Sequence, residues 1–374
     1  MRREIGNEMF TFADQLGPEK IVHIHEPRVG LKAIVVVDNT AAGPAIGGTR
    51  MAPDVSAEEC VRLARAMTLK NAAAGLAHGG AKSVIVGDPF MAHRNKERVV
   101  RAFAAAIRNI GEYIPGPDMG TNETAMAWVK DEIGRSVGLP REIGGIPLDE
   151  IGATGFGLAV AAEVAQEFSG VALRGARVAV QGFGAVGRHA ARFLTGKGAR
   201  LVAASDSKGA VHDPDGLDVG RLEAHKAEGR SFADLPAARR LMMEDLIGID
   251  CDFWIPAARP DAIRADNVDR LRAKLVLQGA NIPATLEAEQ RMHERGILSV
   301  PDFIANAGGV IAAAVEYHGG TEKVAVDTIA ERIAANTRAV LESARAKRVP
   351  PREAALDLAR ARVERAMDLR RWQT

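Results

Sequence analysis

Cysteine is scarce in this chain. Only Cys60 and Cys251 occur among its 374 residues, which is too few for the disulfide framework that stabilises small exported domains. We interpret both as ordinary buried thiols. The cysteine content therefore favours a protein of a reducing compartment.

An excess of charge of either sign is also missing. The 49 lysine and arginine residues are balanced by 48 aspartate and glutamate residues, so the formal net charge is +1. A chain with this balance has no electrostatic reason to bind nucleic acid or an anionic membrane. Any basic site must be local, and we expect small molecules as ligands.

Long hydrophobic runs are absent as well. No apolar run in the sequence approaches the roughly 18 residues that cross a bilayer. Residues 1–8 are largely polar or charged, where a signal peptide would need an apolar stretch. The nine histidines show no His-Glu-x-x-His pattern. We therefore expect a cytoplasmic protein with neither a membrane span nor a bound metal.

What is present is an ordinary globular composition, 47% hydrophobic and 26% charged. The length exceeds what one hydrophobic core comfortably serves, so about two domains are expected. No repeat and no low-complexity block interrupts the chain.

The first part of the chain mixes strands and helices. Apolar runs predict strands over 31–37 and 82–86. Between them, Ser56 followed by Glu59 is typical of a helix start, and apolar residues then recur at helical spacing. Lys70 is therefore expected near the end of this helix, close to the following strand.

Two further helices are predicted over 95–110 and 122–137, each stopped by glycine. The stretch between them is rich in glycine and proline. It places Asp118 in a connecting loop, where a carboxylate can project into a binding site.

From about residue 171 the pattern changes to strand, tight turn and helix in alternation, which predicts a parallel sheet wound with helices. The predicted strands cover residues 176–181, 199–205, 251–256 and 274–278. A charged, alanine-rich segment over 321–371 predicts two helices separated at 349–351.

A glycine-rich loop follows the first of these strands and opens a helix. It consists of Gly182, Phe183, Gly184, Ala185, Val186 and Gly187. In this context the Gly-x-Gly-x-x-Gly spacing indicates a dinucleotide site: a tight turn, a close backbone approach to pyrophosphate, and close packing of helix on sheet. The helix N-terminus then offers free N–H groups to the phosphates.

Asp206 ends the next predicted strand, where an acidic side chain accepts hydrogen bonds from the adenosine ribose. An acidic residue at this position favours NAD. The neighbouring Ser207 and Lys208 are able to hold a 2′-phosphate, so NADP remains open.

Two lysines and an aspartate form the candidate reaction site. A substrate with an α-carboxylate needs a fixed cation, and exchange between a keto carbon and an amine needs groups that move protons. Lys70, Lys82 and Asp118 supply both functions. Lys82 follows two glycines and leads directly into an apolar strand, an unusual place for a solvated lysine.

Several segments together resemble the family of glutamate, leucine, phenylalanine and valine dehydrogenases. These are residues 43–51, 67–74, 79–88, 118–121, 153–157, 182–187, 279–281 and 306–310. They follow the family order over most of the chain.

The resemblance implies an α/β fold with two domains closing over a cleft, and oxidative deamination of an L-amino acid with NAD or, alternatively, NADP. It implies a substrate-binding and oligomerisation domain over 1–150, a Rossmann-type domain over 151–339, and a C-terminal helix in 340–374 returning to the first. It further implies a homo-oligomer, commonly a hexamer or octamer.

By the same resemblance, Lys70 binds the substrate α-carboxylate, Lys82 activates the water that attacks the imine, and Asp118 shuttles a proton to and from nitrogen. Gly47 and Gly48 form the floor of the substrate pocket. The residues implied around the nicotinamide and its ribose are Thr154, Asn281 and Asn306.

The chain differs from the glutamate-specific members at two positions. They carry a lysine where Ile46 stands and tend to carry a serine where Ala313 stands, both holding the side-chain carboxylate. With Met67 and Val310, these residues imply an apolar pocket like that of the branched-chain members. A carboxylate buried there without a partner would cost several kcal/mol.

Other segments are closer to the glutamate branch, namely residues 117–123, 126–128 and 205–209. We therefore favour an aliphatic amino acid as substrate and retain glutamate, with Arg50 as the replacement cation, as the alternative. A third alternative is a catalytically silent nucleotide-binding regulator with the same fold.

Overall fold

A computed structural model describes residues 10–236 and 240–370. The chain divides into two compact units. One comprises residues 1–147, 310–325 and 358–374, and the other comprises 148–309 and 326–357. Residues 1–8, and the end of the expected C-terminal helix at 371–374, lie outside the described residues.

The first unit contains a mixed five-stranded sheet. Its strands are β1 (Lys20–Glu26), β2 (Leu31–Asn39), β3 (Ala45–Ala52), β4 (Gly80–Val86) and β5 (Tyr113–Pro117). Their order is β1-β2-β4-β3-β5, with β3 parallel to both β4 and β5 and the other pairs antiparallel. Its helices are α1 (Ala57–Ala73), α2 (His93–Ala106) and α3 (Glu123–Ile133).

Strand β5 corrects the loop expected around Asp118. Residues 113–117 pair with β3 in parallel register, and Asp118 comes directly after them. A strand containing Pro115 and Pro117 is possible because β5 lies at the sheet edge, where one row of backbone N–H groups is not needed for pairing. The side chain of Asp118 therefore starts from a fixed strand end.

Helix α1 begins as expected. Ser56 caps it by accepting a hydrogen bond from the backbone N–H of Glu59, and Lys70 lies in its last turn. The helix packs on the sheet through a small apolar cluster that includes Cys60, Ala64 and Val84. The face of the sheet that carries Val84 also carries Lys82, because strand side chains alternate.

The second unit is built on a seven-stranded sheet in the order β12-β11-β10-β6-β7-β8-β9. The strands are β6 (Arg177–Gln181), β7 (Arg200–Ser205), β8 (Ala210–His212), β9 (Arg240–Leu241), β10 (Phe253–Pro256), β11 (Leu275–Leu277) and β12 (Leu298–Val300). All pairs from β12 to β7 are parallel, whereas β7-β8 and β8-β9 are antiparallel.

The remaining helices follow in chain order. They are α4 (Leu148–Ile151), α5 (Ala153–Ser169), α6 (Ala185–Gly196), α7 (Val219–Ala227), α8 (Leu286–Glu294), α9 (Asp302–Ala305), α10 (Gly308–Tyr317), α11 (Glu322–Lys347) and α12 (Pro351–Leu369). The sheet is built outward from β6 in both directions: β7 follows it on one side, and the chain then crosses to place β10 on the other. Such a switch point opens a crevice at the carboxyl ends of the strands, where doubly wound folds bind ligands.

The two units differ in two segments from the domains expected from sequence. Residues 310–325 join the first unit, where the Glu316 carboxylate accepts hydrogen bonds from the backbone N–H groups of Leu139 and Ile146. Residues 340–357 join the second unit, where Arg352 is buried among carboxylates. The end of α12 belongs to the first unit, as the expected returning helix required.

Candidate active site

Lys82 and Asp118 form a largely buried ion pair. Lys82 lies on β4 and Asp118 follows β5, and its Oδ2 atom accepts a hydrogen bond from the Lys82 ammonium. Strand β3 runs between β4 and β5 and contributes Gly48 at this level. A Cβ atom on Gly48 would lie 2.9 Å from the Cβ of Asp118. The missing side chain therefore makes room for the pair.

The turn after β5 fixes the Asp118 carboxylate. Its Oδ1 atom accepts a 2.6 Å hydrogen bond from the backbone N–H of Met119. The Thr121 hydroxyl accepts from the backbone N–H of Asp118 and donates to the carbonyl of Thr49. Burial would raise the pKa of Asp118, but the charges of Lys82 and Arg50 outweigh burial and hold the pKa below its ordinary value. The carboxylate is therefore ionised.

Arg50 lies beside this pair. One terminal nitrogen lies 2.5 Å from a carboxylate oxygen of Glu59, and the other lies 3.5 Å from Oδ1 of Asp118. Its Nε atom is buried and makes no hydrogen bond with any described residue. The guanidinium charge of Arg50 is thus shared between Glu59 and Asp118, while its Nε–H has no acceptor among the described residues.

A group of hydroxyl side chains lies on the other face of β3, β4 and β5, opposite the face that carries Lys82 and Gly48. The Tyr113 hydroxyl donates to the carbonyl of Gly47 and lies 2.8 Å from the Ser83 hydroxyl and 3.2 Å from that of Thr49. A Cβ atom on Gly47 would overlap the carbonyl of Ala81. Glycine at position 47 therefore permits the close pairing of β3 and β4.

Lys70 is positioned through its neighbour. The side-chain amide of Asn71 donates to the carbonyls of Ile46 and Gly79, at 3.3 and 2.6 Å. These bonds tie the last turn of α1 to β3 and to the start of β4. Sequence reasoning missed Asn71, although a polar residue at a buried helical position was a visible signal.

The four residues expected to line the substrate pocket belong to the first unit. Ile46 and Ala313 are buried, while Met67 and Val310 are partly buried. Strand alternation places Ile46 on the same face of β3 as Gly48 and Arg50. Met67 and Lys70 are three residues apart on α1, and Val310 and Ala313 are three apart on α10, so each pair shares a helix face.

The glycine-rich loop has the geometry of a phosphate-binding turn. Gly182 has a φ of 94°, and a Cβ there would lie 2.7 Å from Ala258 after β10. A Cβ on Gly187 would overlap the carbonyl of Gly182. Gly184 caps α6 without a side-chain hydrogen bond, and a Cβ added to it would have no atom within 4 Å. The N–H groups of this helix start are therefore accessible to a phosphate.

Asp206 follows β7, as expected, but its carboxylate is occupied. Oδ1 accepts from the backbone N–H groups of Lys208 and Gly209, and Oδ2 accepts from the backbone N–H of Phe232 and from the Lys226 ammonium. Ser207 is exposed. The Asp206 carboxylate, which we expected from the sequence to bind the adenosine ribose, thus already accepts hydrogen bonds from other groups of the chain.

Lys226 is a residue that sequence reasoning missed. It lines a cavity of about 200 Å³ together with Gly184 and Arg188. No local pattern marks it, because its partner Asp206 lies twenty positions earlier in the chain.

The residues expected around the nicotinamide come from separate segments of the second unit. Asn306 is buried, and its amide donates to the carbonyl of Gly279 and to the side-chain oxygen of Asn281. Its own Oδ1 atom has no hydrogen-bond partner among the described residues. Thr154 lies in the first turn of α5, and a Cβ on Gly309 would lie 3.3 Å from its hydroxyl. An unpaired buried acceptor on a side chain that contacts Gly279 and Asn281 fits a polar ligand such as NAD(P).

Models of one protein family match nearly the whole chain. The model described as "Glutamate/Leucine/Phenylalanine/Valine dehydrogenase" matches residues 144–371, and "Glu/Leu/Phe/Val dehydrogenase, dimerisation domain" matches residues 18–135. The chain belongs to this family. It is an NAD(P)-dependent amino acid dehydrogenase acting on a CH–NH2 group.

Individual members of the family are clearly similar. The glutamate dehydrogenase of Aeropyrum pernix is 36% identical over 357 residues, covering 89% of this chain and 85% of that protein. The glutamate dehydrogenase of Thermotoga maritima is 42% identical over 296 residues, covering 75% and 71%. The hetero-hexameric glutamate dehydrogenase of Thermus thermophilus, in a leucine-bound form, superposes with a TM-score of 0.85 at 31% identity, covering 96% and 91%.

The expected fold class is confirmed by these family matches and by the two sheets. In the part of the chain that the structure describes, no helix is both long and apolar enough to cross a membrane.

Proposed function

We propose that this chain catalyses the reversible oxidative deamination of an aliphatic L-amino acid to the 2-oxo acid and ammonia. The observation that carries the proposal is the largely buried ion pair of Lys82 and Asp118 at the side-chain gap of Gly48. An ammonium and a carboxylate held together away from bulk water supply one proton donor and one acceptor.

The proposed roles follow from these groups. Lys70 binds the α-carboxylate, which orients the α-carbon. The ionised Asp118 takes a proton from the α-ammonium group of the substrate. NAD(P), when bound at the loop of residues 182–187, would supply the acceptor for the hydride of that carbon, so that an imine remains. Lys82 then holds and activates the water that adds to the imine carbon, and Asp118 returns its proton to the departing nitrogen. One water enters and one ammonia leaves in each turnover.

An aliphatic substrate is supported by Ile46, a buried residue two positions from Gly48 on the same strand face. A distal carboxylate of the substrate would find no cation at position 46. Ala313 offers it no hydroxyl group. Such a charge buried without a partner costs several kcal/mol. The proposed pocket lining is completed by Met67, Val310 and the floor at Gly47 and Gly48.

Glutamate is the second candidate, and Arg50 is the observation that favours it. Its buried Nε has no partner among the described residues and is able to donate to a substrate carboxylate. However, Glu59 and Asp118 already balance its charge. We therefore place glutamate second, although the relatives named above are glutamate dehydrogenases.

For the cofactor we propose NAD, with NADP also accepted. The diphosphate would bind at the loop of residues 182–187, and the nicotinamide ribose near Thr154, Asn281 and Asn306. The negative charge of Asp206 supports NAD, although the carboxylate is already hydrogen-bonded within the chain. Its partner Lys226 offers an ammonium to a 2′-phosphate. We also propose a homo-oligomer, a hexamer or an octamer; the solution mass by light scattering tests it.

The deciding experiment is a panel of L-amino acids with each oxidised cofactor, followed by absorbance of the reduced cofactor. We expect the highest kcat/KM with leucine, valine or isoleucine. Activity confined to glutamate would overturn the aliphatic assignment. Cofactor binding without turnover of any amino or 2-oxo acid would instead favour a silent regulator.

The roles of the ion pair need a separate test. Replacing Lys82 by Ala or Asp118 by Asn should lower kcat by at least about 100-fold, the usual worth of general acid–base catalysis. Binding of the reduced cofactor should remain. The matched control is Asp131→Asn, which removes an exposed ion pair with Arg101. Turnover retained in both site variants would refute the assigned chemistry.

A further inference from the structure

Arg352 is a largely buried cation in the second unit with three side-chain partners. It lies in the first turn of α12, and its Nε donates to Glu289 over 2.5 Å. One terminal nitrogen donates to Asp302 over 2.8 Å and to Gln278 over 2.9 Å. The side chains of Glu289 and Asp302 are only 6% and 8% exposed. The guanidinium therefore balances two carboxylates that water does not reach.

These partners surround the loop that follows β11. Gln278 is the first residue after the strand; its amide donates to Glu289 and its oxygen accepts from Arg352. At the other end of the loop, Oδ2 of Asp302 accepts a 2.8 Å hydrogen bond from the backbone N–H of Ile282. Both ends of the segment from Gly279 to Ile282 are thus attached to the partners of one arginine.

The loop between these attachments is held in a strained form. Ile282 has a φ of 49°, a left-handed conformation that a β-branched residue rarely adopts. Such a conformation persists only where surrounding bonds enforce it. The hydrogen bond from Ile282 to Asp302 is one such bond, and the neighbouring Asn281 accepts from the amide of Asn306.

We propose that Arg352 is a positioning residue for the cofactor: by fixing Gln278 and Asp302 it holds the segment 279–282, and with it Asn281 and Asn306, in the form that receives the nicotinamide ribose. The inference rests on the proposed binding of NAD(P) at these asparagines. Arg352 acts through its partners and does not contact the cofactor itself.

The geometry requires arginine rather than a simple positive charge. The planar guanidinium reaches Glu289 from Nε and the Asp302–Gln278 pair from a terminal nitrogen, in directions fixed by its fork. A lysine ammonium at the same place would keep the charge balance but would not meet both sides at once. Arg352→Lys therefore keeps the positive charge beside the two carboxylates but removes the hydrogen bonds that position the loop.

The test compares ligands that share the adenosine half and differ in the nicotinamide half. Titration calorimetry of the full chain would measure NADH against ADP, and NADPH against 2′-phospho-ADP, since ADP and 2′-phospho-ADP lack the second ribose. In Arg352→Lys we expect about tenfold weaker binding of NADH or NADPH, the worth of one hydrogen bond to a charged group, with binding of ADP and 2′-phospho-ADP unchanged. Arg338→Lys is the matched control, because Arg338 pairs with Glu167 at the surface of the same unit.

If Arg352→Lys folds poorly, Asp302→Asn gives the same comparison. It weakens the hydrogen bonds that Asp302 accepts from Ile282 and Arg352, and it keeps the shape of the side chain. Equal losses for NADH and ADP would show a general structural defect and overturn the proposal, and so would unchanged binding of both. A wild-type protein that binds ADP and NADH equally would instead overturn the placement of the nicotinamide ribose, on which the proposal rests.

Discussion

The carboxylate of Asp206 accepts a 2.6 Å hydrogen bond from the ammonium of Lys226 and three more from backbone N–H groups. A carboxylate has about four acceptor sites, so this one is fully engaged. A ribose hydroxyl group must therefore compete with Lys226, whereas a 2′-phosphate would meet an ammonium there.

Removing that ammonium should move the cofactor preference towards NAD. In Lys226→Met, Oδ2 of Asp206 becomes available to the ribose and a 2′-phosphate loses a cation. We expect the ratio of kcat/KM for NAD to that for NADP to rise about tenfold, equivalent to about 1.4 kcal/mol. The control Lys197→Met removes an ion pair with Glu163 on the same unit. An unchanged ratio would exclude Lys226 as a determinant of selectivity.

Adding one methyl group at Gly48 should disable the proposed reacting pair of Lys82 and Asp118. In Gly48→Ala the new Cβ would lie 2.9 Å from the Cβ and 3.1 Å from Oδ2 of Asp118. Displacement of the carboxylate by about 1 Å should lower kcat by about 100-fold. Gly111→Ala is the control, because a Cβ there has no atom within 4 Å. Steady-state kinetics at saturating substrate would show whether kcat falls only at position 48.

A lysine at position 46 should admit a substrate carboxylate. We expect Ile46→Lys to raise the kcat/KM for glutamate relative to leucine by about tenfold or more, because a charge-assisted hydrogen bond replaces an apolar contact. Ile46→Leu, which keeps an apolar side chain of the same volume, should leave the ratio nearly unchanged. A lysine variant that still prefers leucine would show that position 46 does not contact the distal end of the substrate.

His78 should make stability depend on pH. Burial lowers its pKa, and the nearby His318 lowers it further, while the hydrogen bond to the carbonyl of Pro44 opposes them. The Nε2 atoms of His78 and His318 are 3.0 Å apart. Because the Pro44 carbonyl only accepts, Nδ1 of His78 carries the proton, and a neutral His78 accepts from His318 at Nε2.

In the unfolded chain the pKa of His78 returns to about 6.5, so the unfolded state binds more protons between the two values. The contribution of neutral His78 to the free energy of unfolding is therefore present above about pH 6.5. It is lost as the pH falls towards the pKa of His78 in the folded state. We expect the decrease in Tm from pH 7.5 to 5.5 to be smaller in His78→Asn than in the wild type. His23→Asn, at an exposed position of β1, should retain the full decrease.

Local patterns predicted much of the fold. The glycine loop, the strand before it and the strand ending at Asp206 were predicted within a residue or two, because each depends on residues close in the chain. The same holds for Ser56 at the start of α1 and for the break between α11 and α12. The strand nature of β5 was missed, since its glycine and prolines indicate a loop unless an adjacent strand is known.

The sequence by itself determined the family, the presence of a glycine-rich loop of the dinucleotide type and the set of polar residues from which the proposed reaction site is made, because these are properties of spacing and residue type. Only the tertiary structure decided which groups meet. Lys82 and Asp118 are brought together across Gly48 by strand order, Asp206 is paired with Lys226, and Arg352 reaches Gln278 from 74 positions away. Hydrogen bonds and ion pairs act over a few ångströms, so their partners depend on how the chain folds back and not on the order of its residues.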